Sequence, residues 1–287
     1  MSNKPTDDAK TPETTGHEWD GIQELNNPLP RWWLWTLYAT IIWGIGYTIA
    51  YPAWPLISGT TRGVLNHSTR MEVAQDIEAH QNLNAGLVAQ LNAADLSQIA
   101  PDADLHRYGV ARGRSVFAAQ CSQCHGSGAA GSPGYPNLLD NDWLWGGDLA
   151  AISYSVRHGI RNDTDEEARY SDMPAFKDIL ADDEIDAVAE YVFSLTDADH
   201  DSTLAEAGAT LFADNCAACH GEDARGDRDL GAPNLADAIW LYGGSRAALT
   251  QTISQSRFGV MPAWGQRLSE EDVRAVSIYV HALGGGE

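Results

Sequence analysis

"CSQCHG", residues 121–126, returns 95 residues later as "CAACHG", residues 216–221. The two stretches use all four cysteines of the chain, and each places a histidine directly after its second cysteine. The segments behind them also repeat. "PNLLDNDWLWGGD" from Pro136 matches "PNLADAIWLYGGS" from Pro233, and "MPAF" from Met173 matches "MPAW" from Met261. A self-similar unit of this length is one supersecondary block used twice.

Each unit ends in an apolar pattern spaced 3, 4, 3: Ile185, Val188, Val192 and Leu195 in the first, Val273, Val276, Val280 and Leu283 in the second. That spacing predicts an amphipathic closing helix. Ser269 and Asp272 mark the start of the second copy, and Asp182, Asp183 and Glu184 fill the first turn of the first, where the helix dipole favours acid. A short opening helix precedes each cysteine pair. It carries Gly113 and Phe117 in one copy, Gly208 and Phe212 in the other. A glycine one turn before an aromatic lets another helix approach closely, and Tyr191 and Tyr279 on the closing helices are suitable partners. The predicted borders are 105–198 and 199–287.

Cys-Xaa-Xaa-Cys-His is the attachment signature of c-type haem: two thiols one helical turn apart add to vinyl groups, and the next residue offers an imidazole to iron. A redox dithiol or a zinc clamp accounts for one pair, but not for a histidine after both. A zinc ribbon also brings its pairs within about 15–20 residues, whereas 91 residues separate Cys124 from Cys216. The pattern therefore implies two covalently bound haem c groups, anchored by Cys121, Cys124, Cys216 and Cys219, with His125 and His220 as axial ligands.

The opposite ligands are sought among four methionines. Met173 and Met261 head equivalent Met-Pro-Ala-aromatic sequences, and thioether sulfur suits a histidine-ligated haem. In the first copy, twelve extra residues, "RNDTDEEARYSD", separate the shared glycine from its methionine. His158 stands just before them, so the first haem is either His/Met or His/His. Pro136 and Pro233 follow the ligand histidines closely enough for a carbonyl to accept an imidazole N–H, or else form turns. Arg157 and Arg257 occupy matching places and pair with haem propionates or lie solvated. No catalytic nucleophile or acid–base pair stands out, and no independent catalysis is expected.

In front of the repeat, "WWLWTLYATIIWGIGYTIA", Trp32–Ala50, runs 19 residues without a charge. At 1.5 Å per helical residue it matches a bilayer's hydrocarbon core, and aromatic residues crowd both ends as at headgroup level. It reads as one spanning helix, 32–51. Flanking arginines do not decide its orientation. Residues 1–31 are polar and lack an evident core. Between 52 and 104, Leu83, Leu87 and Leu91 predict an amphipathic connector helix ending before Pro101, which docks either on a partner or on the chain's own domains. Forty acidic against 18 basic side chains, net −22, exclude a phosphate-binding surface and favour a basic partner; nucleic acid is not expected.

"HEWDGIQELNNPLPRWWLWTLYATIIWGIGYTIAYPAWP", His17–Pro55, together with the two haem units, resembles the di-haem subunit III family, FixP or CcoP, of bacterial cbb3-type cytochrome c oxidase. The resemblance covers nearly the whole chain. It implies an all-α fold, one N-terminal transmembrane helix followed by two class I cytochrome c domains in tandem. His125 and His220 would be proximal ligands, and Met173 and Met261 distal ones. The N-terminus would be cytoplasmic and the haem domains periplasmic, on the bacterial inner membrane. Implied partners are the haem–copper catalytic subunit I, the mono-haem subunit II and a basic periplasmic cytochrome c donor. The rival readings are a stand-alone anchored di-haem carrier, the cytochrome subunit of a periplasmic dehydrogenase, and a di-haem peroxidase.

Overall fold

The computed structural model describes residues 12–99, 103–196, 198–237 and 239–287. The first eleven residues of the 1–31 segment and Pro101, before which the connector helix is expected to end, lie outside them. The chain divides into two compact units, Met1–Asn82 and Leu83–Glu287.

The first unit departs from an all-α expectation. Strands β1 (Thr14–Trp19) and β2 (Ile22–Leu25) form an antiparallel hairpin through Asp20 and Gly21, at φ +50° and +83°. Asp-Gly tolerates the positive φ that a tight hairpin turn requires at both central positions. A two-residue pair comes later, β3 (Pro55–Leu56) with β4 (Gly59–Thr60). Neither hairpin buries a residue, so neither adds core. Between them α1 (Arg31–Ala50) starts after Pro30. None of its residues is buried, and the hydroxyls of Thr36, Thr40 and Thr48 all donate to carbonyls one turn back. Its last carbonyls are capped when the chain folds back: the Val64 and Leu65 amides donate to Ile49 and Ala50 at 2.9 and 3.0 Å. Among the described residues no helix is long and apolar enough to cross a membrane.

Helix α2 (Thr69–Ala93) contains the boundary between the units. The connector helix is thus present but longer than its leucines suggest. Leu83 is 84% exposed, whereas Leu91 is fully buried with Ala275 and Ile278. Arg274 fastens this end by donating from Nε to Leu91 O at 2.8 Å. Here the connector packs on its own chain.

In the second unit the helices are α3 (Asp104–Val116), α4 (Ser122–His125), α5 (Leu149–His158), α6 (Asp182–Leu195), α7 (Ser202–Asn215), α8 (Ala217–His220), α9 (Arg246–Gln255) and α10 (Glu270–His281). Starts expected from sequence are capped as local chemistry dictates. Ser269 Oγ accepts the Asp272 amide, and Glu184 accepts the Ala181 amide.

The pairing of these helices is not the one that two consecutive domains would give. Opening helix α3 packs on α10, the closing helix of the other repeat, and α7 packs on α6. A Cβ on Gly113 would lie 2.1 Å from Ala275 O, and one on Gly208 would lie 2.0 Å from Ala187 O. Beside these crossings Phe117 meets Tyr279, with ring centroids 5.4 Å apart, and Phe212 meets Tyr191 at 5.1 Å. Two cores result. One gathers Phe176, Val188, Val192, Phe212, Cys216 and Leu249, all contiguous in the chain. The other joins Phe117, Ile152 and Val156 to Val273, Val276 and Val280, with the first core's segment inserted between them. The borders 105–198 and 199–287 therefore do not separate the cores. Six residues link α6 to α7, and so short a connection makes consecutive helices antiparallel neighbours.

Replacing Gly113 with alanine forces backbone apart at the α3–α10 crossing and should cost about 1–3 kcal/mol. Gly86→Ala, in open space on α2, should be neutral or stabilising by up to about 1 kcal/mol. Urea unfolding of both variants checks the contrast.

Candidate functional site

The two Cys-Xaa-Xaa-Cys-His turns are built alike. The helices α4 and α8 each end on the histidine, and the following glycine takes positive φ, +81° at Gly126 and +79° at Gly221. The chain then curls so that Pro136 O lies 3.1 Å from His125 Nδ1, and Pro233 O lies 3.1 Å from His220 Nδ1. A carbonyl can only accept, so Nδ1 carries the proton in both rings and Nε2 keeps its lone pair for a metal. Burial pushes both histidines below their ordinary pKa, against the carbonyl bond, and so favours the neutral, ligating form.

No disulfide joins Cys121, Cys124, Cys216 or Cys219. Burial, with the neighbouring cysteine as a lesser cause, pushes the Cys121 and Cys216 thiols up to about 11. A working redox dithiol needs the opposite, a depressed pKa.

Both turns open into one cavity of about 350 Å³, whose lining includes Cys121, His125, Cys216 and His220. Met173 and Met261 line it too, and their placement is crossed. Met173 packs against the core that holds Cys216, Met261 against the core of Cys121. Each methionine strap is fastened to the other repeat. The Ser256 hydroxyl donates to Met173 O, and Ile160 and Met261 exchange two backbone bonds of 3.0 Å.

The cavity fits haem in its donors as well as its ligands. Trp145 Nε1 is buried on the lining without an acceptor, and the Arg169 guanidinium lies 5.3 Å over that indole with its own Nε unsatisfied. Paired orphan donors of this kind call for an anionic acceptor such as a propionate. Arg161 and Arg257 also face the cavity. Arg257 is held by Ala248 O at 2.6 Å and stacks over Tyr242 at 4.8 Å.

Two residues singled out from sequence lie elsewhere. Arg157 donates to Glu270 at 2.7 Å instead of facing the cavity. His158 is not on the cavity lining; its Nδ1 lies 3.2 Å from Asp165 and 3.4 Å from Glu167, under Tyr154. The structure thus brings Met173 to the cavity and not His158. Sequence reading missed Arg161, Arg169 and Trp145. The two arginines sit in the insertion, where a run of acids hid them, and Trp145 stands two residues after the repeated Trp143.

Comparison with known proteins gives these features a family. Residues 11–58 match the family described as the N-terminal domain of cytochrome oxidase-cbb3, FixP; residues 110–196 match cytochrome c; residues 203–280 match cytochrome C oxidase, cbb3-type, subunit III. The Cbb3-type cytochrome c oxidase subunit CcoP of Cereibacter sphaeroides is 59% identical over 290 residues, covering all of both chains. The subunit FixP of Azorhizobium caulinodans is 52% identical over 284 residues, covering 99% of this chain and 97% of its own. The chain belongs to the CcoP/FixP family of cbb3-type cytochrome c oxidase subunits. Within this CcoP/FixP chain the N-terminal match spans the Asp-Gly hairpin and α1, and the two cytochrome matches span the two cysteine–histidine turns.

One carboxyl on the cavity wall yields a pH prediction. Burial, then Asp237 and Asp140, push Asp142 up to about 6, with Arg228 opposing. A raised folded pKa favours the folded state at low pH, and that advantage is lost as pH climbs from about 4 to about 6. Asp142→Asn should therefore stabilise the chain by on the order of 1–2 kcal/mol at pH 8, allowing for partial exposure, and not at pH 4. Unfolding at the two pH values measures the difference.

Proposed function

We propose that this chain relays single electrons from a periplasmic donor, through two covalently held haem c groups, to the mono-haem and catalytic subunits of a cbb3-type oxidase. The observation that carries this reading is the pair of carbonyl-oriented histidines, each beside two cysteines and each opening into one cavity with a methionine. Bound haem supplies a metal centre that changes oxidation state by one electron. The chain's residues supply the rest. Pro136 and Pro233 carbonyls hold the imidazoles, apolar side chains make up most of the cavity wall, and the half-buried Arg161 and Arg257 on that wall would offset negative charge.

The crossed cores support a crossed ligand assignment, His125 with Met261 and His220 with Met173. With sulfur available to both, neither site needs His158. Sulfur from Met173 and Met261 would raise the potential of histidine-held haems.

Helix α1 is proposed as a single membrane anchor, with the N-terminus cytoplasmic and the haem units periplasmic. Its 20 residues bury nothing within the chain and carry one charge, at Arg31. Four tryptophans and two tyrosines lower its mean hydropathy, yet such rings are favoured at headgroup level. Its threonine hydroxyls are already satisfied internally, as lipid demands. The match of residues 11–58 to the family's N-terminal domain supports the same reading.

The region beyond residue 100 holds 30 acidic and 13 basic side chains, a net of −17. Such a field draws a basic cytochrome inward. Electron entry from that donor should slow by roughly tenfold between about 0.01 M and 0.15 M ionic strength, as the screening length falls from roughly 30 Å to roughly 8 Å. Stopped-flow reduction measures it. Purification of the full chain should also recover b-type haem and copper; recovery of the chain alone overturns the oxidase reading.

The crossed assignment has its own test. In a chain lacking the Cys121/Cys124 pair, Met173→His should lower the potential of the remaining haem by roughly a tenth of a volt or more, within the ~0.8 V that axial ligands command. Met261→His in that background should leave it unchanged. Redox titration decides, because pairing within each repeat predicts the reverse.

A further inference from the structure

The chain crosses between its two cores twice: outward along residues 159–172, and back along 256–260, where each passage leads towards a methionine. Arg161 sits where these passages meet. Its Nε donates to Gly259 O at 2.7 Å, and its Nη1 donates to Ser171 O at 2.9 Å. Gly259 stands two residues before Met261, and Ser171 stands two residues before Met173. One guanidinium therefore grips both methionine straps at the same distance from their sulfur-bearing residues. We propose that Arg161 is a positioning residue for both distal ligands, a single fork that couples the two methionine straps.

Several independent features support a dedicated part. Arg161 adopts φ +52°, a left-handed conformation that non-glycine residues avoid and that tends to persist where function demands it. Its backbone is pinned on both sides: Ile160 is bonded to Met261 in both directions, and the Arg161 amide donates to Arg169 O at 2.7 Å. The side chain lines the cavity and lies over Phe258, 5.8 Å from the ring centroid. Both of its described bonds go to main-chain carbonyls, and burial lowers its pKa. Desolvating a cation is costly unless hydrogen bonds compensate, and the two carbonyls supply that compensation to Arg161. Arginine suits the task because its donors diverge in a rigid plane; a lysine ammonium is a single point that cannot reach two carbonyls in the same geometry. The second repeat has no counterpart, since Arg161 opens the insertion that only the first repeat carries.

The inference rests on Met173 and Met261 being the distal ligands, so its test carries controls for that reading. The full chain with both haems attached is prepared as Met173→Ala, Met261→Ala, Arg161→Lys and Arg161→Gln, and the sulfur-to-iron charge-transfer band is recorded in the oxidised state. Each methionine variant should lose the band from one haem, about half its intensity. Both arginine variants should weaken it at both haems and speed carbon monoxide binding to both after reduction, with haem content still two per chain. Arg161→Lys keeps the charge, so its defect isolates positioning from electrostatics.

Methionine variants that behave as stated beside arginine variants with an intact band, or with loss at one haem only, overturn the coupling alone. An unchanged band in either methionine variant overturns the ligand assignment, and the coupling falls with it. The unaltered chain gives a measurement that needs no substitution. In a urea titration followed by the same band, coupled straps release both sulfurs in one transition, while two separate transitions overturn the proposal.

Discussion

Two glycine-mediated helix crossings hold everything else in place. At Gly113 and Gly208 the backbone of an opening helix comes within van der Waals reach of a carbonyl on a closing helix, Ala275 O and Ala187 O. No side chain could stand there. Because each crossing joins halves of different repeats, the apolar faces of α6 and α10 are delivered to the opposite cysteine turn. The methionine ahead of each closing helix travels with it. One cavity touching three cysteines, both motif histidines and two methionines is the geometric outcome.

What was legible in the sequence was whatever is settled locally. A Cys-Xaa-Xaa-Cys-His turn, a 3, 4, 3 spacing and a serine before three acids each specify their structure within a few residues, and each stands where it was read, except that α10 ends at His281 and leaves Leu283 beyond it. The carbonyls of Pro136 and Pro233 lie where an imidazole donor needs them. The crossing was not read, because the repeats offer each opening helix two nearly equivalent faces: alanine and tyrosine at Ala187 and Tyr191, or at Ala275 and Tyr279. Periodicity cannot choose between equals. Connection length can, and the six residues between α6 and α7 held the answer. Asp20-Gly21 was a second unread signal, a two-residue hairpin turn flanked by strand-forming residues.

The insertion shows how composition can mislead. Its acids suggest a solvated loop, yet Arg161 and Arg169 turn inward while Asp165 and Glu167 are engaged with His158. The histidine that looked like an alternative ligand is held by its own neighbours. Matching position within the repeat misled in the same way for Arg157, which serves α10 through Glu270, whereas Arg257 faces the cavity. Pseudo-symmetry predicts backbone better than side-chain roles, because one inserted loop is enough to give two equivalent arginines different surroundings.

The nested topology also imposes an order on assembly. The core around Cys216 and Met173 is drawn from one uninterrupted stretch, so its contacts form between segments that are near in sequence. The core around Cys121 must close over that stretch, joining Gly113 to Ala275 and Phe117 to Tyr279 across some 160 residues. Loop closure makes such distant contacts slower to form, and the closing helix α10 follows every other element of both cores in the chain. The second cysteine turn of the chain is therefore the first whose core can be completed. The first turn, although synthesised earlier, remains open on its distal side until the C-terminal helix arrives. An arginine that grips both straps at their crossing acts at the point where the outer core closes over the inner one.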